Sequence, residues 1–125
     1  MSQPSTTDPR PQISEGPDGS RRVTGRRCRS CSAVAAFAWP RCPECRGEVE
    51  PADFGPDGTV WSSTIVRIPV PGRTPPYALA YIDLDDGPRV LAHVDGAADT
   101  PAPIGSRVRL SRPSPEGDLV VEVSR

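Results

Sequence analysis

Two cysteine pairs, Cys28-Arg29-Ser30-Cys31 and Cys42-Pro43-Glu44-Cys45, set ten residues apart, constrain this chain more than any other stretch of it. They hold all four of its cysteines. Two intervening residues in each pair let both sulfurs converge on one ion from a tight knuckle. Two facing knuckles supply four thiolates in a tetrahedron, the closed geometry of structural zinc. The spacer is shorter than the ~15–20 residues of the commonest ribbon template, but it suffices for a small hairpin. Cys28, Cys31, Cys42 and Cys45 are therefore the expected ligands of a structural Zn2+.

Disulfides and redox chemistry compete for the same residues. The opening Met1-Ser2-Gln3-Pro4-Ser5 has no basic region and no apolar run, so a secretory leader is not expected. A reducing cytoplasm follows as the expected location, where paired cysteines hold metal more often than they cross-link. A thioredoxin-like site needs one Cys-x-x-Cys at a helix start in a βαβ context, and two pairs outside such a pattern do not fit it. Four thiolates leave zinc no open position, which argues for a structural role.

With 17 Pro and 11 Gly in 125 residues and 5% aromatic residues, the core must be small and the loops many. A bound zinc compensates for a thin core. Fifteen basic residues, all arginine, face 16 acidic ones, for a net charge of −1. That balance gives no general attraction to nucleic acid or anionic membrane. No stretch approaches the ~20 apolar residues of a membrane span.

Along the chain, residues 1–24 are rich in Pro, Gly, Ser and Thr, with Ile13 and Val23 as the only large aliphatic residues, and read as a disordered tail. Residues 25–50 form the zinc ribbon, approached by Arg21, Arg22, Arg26, Arg27 and Arg29. Between its knuckles, Val34, Phe37 and Trp39 are apolar in a hairpin too small to bury them, so they are expected against a neighbouring surface. Residues 51–58 read as a linker ending at the turn Pro56-Asp57-Gly58. From 59 to 124 the pattern is all β. Thr59–Ile68 alternates with Val60, Thr64, Val66 and Ile68 on one face. Pro76–Leu84 and Arg89–Val94 flank the turn Asp85-Asp86-Gly87-Pro88, and Ser106–Ser111 and Asp118–Val123 complete the set. Five short antiparallel strands with a longer connection after the third suit an OB barrel. The expected fold is mainly β: a rubredoxin-like zinc ribbon followed by a five-stranded OB-fold barrel.

Catalytic groups are not apparent. His93, the single histidine, lies at a strand end without a nucleophile in a recognisable arrangement and reads as an ordinary strand residue. The acidic residues from Asp83 to Asp86 read as solvated turn chemistry. Nucleic-acid binding, common for OB barrels, would need aromatic and basic residues on one strand face. Tyr77 and Tyr81 share a face, but Leu79 separates them and Asp83 follows, so half-buried packing is the simpler reading.

One combination is more specific. A ribbon ending Trp39-Pro40-Arg41-Cys42-Pro43-Glu44-Cys45 precedes Gly58-Thr59-Val60-Trp61-Ser62, the segment Pro76 to Leu91 and Ile104-Gly105-Ser106-Arg107-Val108. From about residue 25 to 124 the chain resembles the zinc-ribbon plus OB-fold proteins that accompany thiolase-like enzymes of acyl-CoA metabolism. The resemblance implies a non-catalytic accessory or scaffold subunit that binds a thiolase-like, synthase-like or hydratase-like enzyme. It also implies help in binding or channelling acyl-CoA. The family's four zinc positions fall on Cys28, Cys31, Cys42 and Cys45. Val34, Phe37 and Trp39 of the ribbon with Tyr77 and Tyr81 of the barrel are the expected contact residues, and Arg27, Arg41 and Arg73 those for CoA phosphates. The alternative function is a nucleic-acid-binding OB module. Two departures stand out. Family members carry helical turns before the ribbon where this chain has its Pro- and Gly-rich tail. The glycine common after the second cysteine is here Ser32, at a place where a left-handed turn is expected.

Overall fold

The structure is a computed structural model that describes residues 11–85, 87–96 and 99–124. Among the described residues, nine strands make two sheets: β1 Gln12–Glu15, β2 Arg21–Cys28, β3 Val34–Ala35 and β4 Val49–Phe54 in the first, and β5 Asp57–Val66, β6 Tyr77–Leu84, β7 Arg89–Val94, β8 Arg107–Leu110 and β9 Val120–Val123 in the second.

The first sheet is organised on β2. β4 pairs along one edge from Val23 to Cys28, while β1 and β3 lie end to end on the other, against Arg21–Thr24 and Arg26–Arg27. Two expectations are corrected here. Residues 1–10 of the expected tail lie outside the described residues, but 12–15 and 21–24 form a hairpin closed by Gly16 N–H to Ser20 O at 2.7 Å. Its two aliphatic residues are cross-strand partners, Ile13 opposite Val23, and Val23 is fully buried. Segment 51–58, expected as a linker, holds most of β4 and the start of β5. Pro51 hides that strand in the sequence, yet a strand with one free edge tolerates a proline. Phe54 at its end is 2% exposed.

The second sheet closes as a barrel in the order β5-β6-β7-β9-β8, as expected for an OB fold. One pairing differs from an all-antiparallel set: β7 and β9 run parallel, with His93 opposite Val120. β9 lies between β7 and β8, so the last strand of the chain sits inside the barrel order. Ala102 in the long segment after β7 is buried, and Gly105 N–H donates to Val60 O at 2.9 Å. Asp86 of the expected β6–β7 turn lies outside the described residues.

β5 carries a bulge. Val60 opposes Ile82 and Ser62 opposes Tyr81, which leaves Trp61 as the extra residue. The alternation expected for this strand therefore changes phase after Val60. Ile65 turns to the core, Thr64 is exposed, and Ile68, beyond the strand end, is 73% exposed.

Small side chains fill the barrel, with Ala78, Ala80 and Ala92 beside Val60, Ile82, Val108 and Val121, all at most 3% exposed. Val23 and Phe54 of the first sheet join this cluster, so ribbon and barrel share one core. Each fully buried aliphatic side chain contributes about 1.5–3 kcal/mol.

Candidate functional site

The four cysteines meet at the end of the first sheet. Their sulfurs lie within 4.8 Å of one another, with Cys28 and Cys45 Sγ 3.5 Å apart and Cys31 and Cys42 Sγ 3.6 Å apart. β2 delivers Cys28 at its last residue, and the chain turns back through two matching knuckles. In the first, Ser32 N–H donates to Cys28 O and Cys28 N–H to Ala33 O; in the second, Arg46 N–H donates to Cys42 O and Cys42 N–H to Gly47 O. Ser32 and Arg46, each just after the second cysteine of its pair, are left-handed with φ of 66° and 64°. The turn expected at Ser32 is there. Gly47 has no room for a side chain: a Cβ would lie 2.9 Å from Ser30 Oγ and 3.1 Å from Cys45 Sγ.

Backbone N–H groups point at the sulfurs. Cys28 accepts from Ser30 and Cys31 at 3.3 and 3.4 Å, Cys42 from Glu44 at 3.4 Å and Cys45 from Gly47 at 3.4 Å. These contacts favour thiolates, but four cannot ionise side by side without a cation. The Cys31 N–H leads in holding the Cys28 thiol down to about 6, against burial. Cys31 accepts from Ala33 N–H, yet Cys42 and burial push it up to about 12. Cys45 likewise goes up, its Gly47 contact outweighed by its neighbours. A metal cation relieves this conflict, so the donor set fits one metal ion held by four thiolates.

The outer face of the barrel carries the other candidates. Tyr81 is 44% exposed and meets the Trp61 ring edge-on at 6.2 Å, with Arg89 stacked on the Trp61 ring at 3.7 Å. Phe37 and Trp39 pack edge to face at 6.1 Å and, with Val34, line a groove that ends at Arg89 and Leu91. Tyr77 stacks on His93 at 5.6 Å, and His93 Nε2 lies 3.7 Å from Asp118 Oδ2. Burial foremost, then Arg73, pushes the His93 pKa below its ordinary value against the pull of Asp118 and Glu116. Among the described residues no helix is long and apolar enough to cross a membrane.

The family model for the ChsH2 C-terminal OB-fold domain matches residues 52–111. A relative, the benzoylsuccinyl-CoA thiolase subunit BbsA of Geobacter metallireducens, is 33% identical over 101 residues, which is 78% of this chain and 68% of that protein. The chain belongs to the ChsH2-type OB-fold family. A DUF35 domain-containing scaffold protein of Methanothermobacter thermautotrophicus is 28% identical over 92 residues, 70% of this chain and 69% of its own length. Among solved structures, the Ltp2-ChsH2(DUF35) aldolase superposes with a TM-score of 0.68 at 26% identity, covering 82% of this chain and 84% of that one.

In this ChsH2-type chain the expected contact residues divide. Val34, Phe37 and Trp39 come together with Tyr81 through Leu91, which lines both the ribbon groove and a shallow depression beside Tyr81. The arginines have other engagements: Arg27 lies over the Phe54 ring at 5.5 Å, Arg41 donates to Arg46 O at 3.5 Å, and Arg73 pairs with Asp118 and Glu116. Trp61, Arg89 and Leu91 were not among the expected residues. The alternation of β7 marks Leu91 as outward, and inward Gly58 and Val60 mark Trp61 as outward in the same way; the bulge changes the phase of β5 only beyond it. His93 and Asp118, 25 positions apart, are joined only by the β7–β9 pairing.

Proposed function

We propose that this chain is a non-catalytic accessory or scaffold subunit of a thiolase-like, synthase-like or hydratase-like enzyme that acts on acyl-CoA. The observation that carries the reading is the 101-residue likeness to a protein named as a thiolase subunit, an alignment longer than either the ribbon or the barrel alone. A relative named as a scaffold supports the non-catalytic role. We assign the metal as structural Zn2+, because four thiolates close the tetrahedron and leave no position for substrate or water. Four cysteines joined by no disulfide suit a reducing compartment, and we place the protein in the cytoplasm. Ordered knuckles would hold the Cys31–Cys42 loop, and with it Phe37 and Trp39, in a fixed position against the barrel.

The test is recovery of the tagged chain from its native cells, with bound proteins identified by mass spectrometry and metal by elemental analysis. A stoichiometric thiolase-, synthase- or hydratase-like subunit and one zinc per chain are expected. Recovery of nucleic acid without such an enzyme refutes the reading and favours the OB-module alternative.

A further inference from the structure

The outward side of β5, β6 and β7 is where a barrel ordinarily meets water with polar side chains. Here Trp61, Tyr81 and Leu91 stand on three adjacent strands, Leu91 directly opposite Tyr81, and are 50%, 44% and 46% exposed. Trp61 follows inward-facing Val60 and, as the bulged residue of β5, has no direct partner on β6. Arg89 stacks on its ring and Tyr81 meets it edge-on, so the side chain has partners before anything binds. Leu91 continues the face into the ribbon groove, where Phe37 is 58% exposed. Trp, Tyr and Arg held together around a shallow depression are the residue types that dominate binding energy in protein interfaces.

Charge decides which occupant this face fits. Arg89 is bound at both ends to Asp83, at 2.6 and 3.1 Å. Arg107 is bound to Asp85 at 2.9 and 2.5 Å, and Arg109 to Asp57 at 3.0 Å. The cations bordering the aromatic residues are thus neutralised within the barrel. A polyanion or an anionic membrane requires cations with charge to spare. An apolar, uncharged patch on a folded protein does not. We propose that the face centred on Trp61, Tyr81 and Leu91, continued by Phe37, is the surface on which the acyl-CoA-processing subunit docks. This inference rests on the accessory-subunit reading and names its interface.

The experiment compares tagged wild-type chain with Trp61→Ala, Leu91→Asp and, as control, Ile68→Asp in the loop beyond β5, each checked for zinc content and thermal unfolding. The measured quantity is the amount of the enzyme subunit recovered with the wild type that each variant retains. Trp61→Ala and Leu91→Asp are expected to retain at least ~10-fold less, and Ile68→Asp an unchanged amount. A photo-crosslinker in place of Leu91, a position that tolerates it without disturbing the core, is expected to capture the same subunit. Equal retention by all variants, without the crosslink, overturns the interface and leaves the accessory reading standing. If the wild type recovers no such subunit, both fall. A wild-type dimer in light scattering that Leu91→Asp makes monomeric would assign the face to a second copy, and nucleic acid lost on Trp61→Ala would assign it to a single strand; either overturns the proposal.

Discussion

Gly25 sits in the middle of β2, paired with Ala52 on one side, where the chain of β3 crosses closely on the other. A Cβ there would lie 1.9 Å from the Ala35 carbonyl oxygen, 3.0 Å from its carbon and 3.1 Å from Ala36 Cα. All three are backbone atoms, so no side chain can rotate away. Restoring an ordinary carbon–oxygen contact requires β3 to withdraw by more than about 1 Å. β3 is only two residues long and pairs with β2 at Arg26 and Arg27, so such a shift breaks its ladder. Lost hydrogen bonds at about 1 kcal/mol each and overpacking of about 1–3 kcal/mol give an expected cost of about 2–4 kcal/mol for Gly25→Ala. Because Ala35 follows the first knuckle and precedes Phe37, zinc release to a chelator should also be faster. Urea unfolding of the zinc-loaded protein measures the first effect and a colorimetric chelator the second. A midpoint within about 0.5 kcal/mol of wild type, with unchanged zinc release, would refute the close approach of β2 and β3 and the coupling argued from it.

Phe54→Ala removes the ring that joins ribbon to barrel and is expected to cost about 3–5 kcal/mol in urea unfolding, since Phe54 is 2% exposed. Ser32→Gly relieves a left-handed residue at φ 66° and is expected to stabilise the zinc-loaded protein by up to about 1 kcal/mol, read as a raised thermal midpoint. His93 has a depressed pKa in the fold, so the unfolded chain takes up its proton first as pH falls. Its contribution is complete above the ordinary histidine value near 6.5 and is lost as pH drops towards the folded value. Urea midpoints at pH 7.5 and 5.5 should therefore fall more for wild type than for His93→Gln, with zinc retention monitored in both.

Local pattern by itself determined the meeting of the four cysteines, because two residues between cysteines dictate a knuckle wherever the chain then goes. Alternation and turn residues determined most of the barrel: Tyr77–Leu84 and Arg89–Val94 bury alternate residues as their sequences demand. The left-handed turn after Cys31 was legible for the same reason, since the knuckle's geometry is internal to a few residues. Tertiary structure decided the rest. Gln12–Glu15 and Val49–Phe54 carry too little periodicity to specify strands, and they become strands because β2 offers both its edges and the barrel offers a core to Val23 and Phe54. The bulge at Trp61 is decided by closure of the barrel, which requires β5 to pair with β6 and β8 at once and so to bend. The aromatic face is a product of closure as well. Its residues come from strands that only the barrel brings side by side, and their charges cancel only because Asp83 and Asp85 lie within reach of Arg89 and Arg107 across the strands.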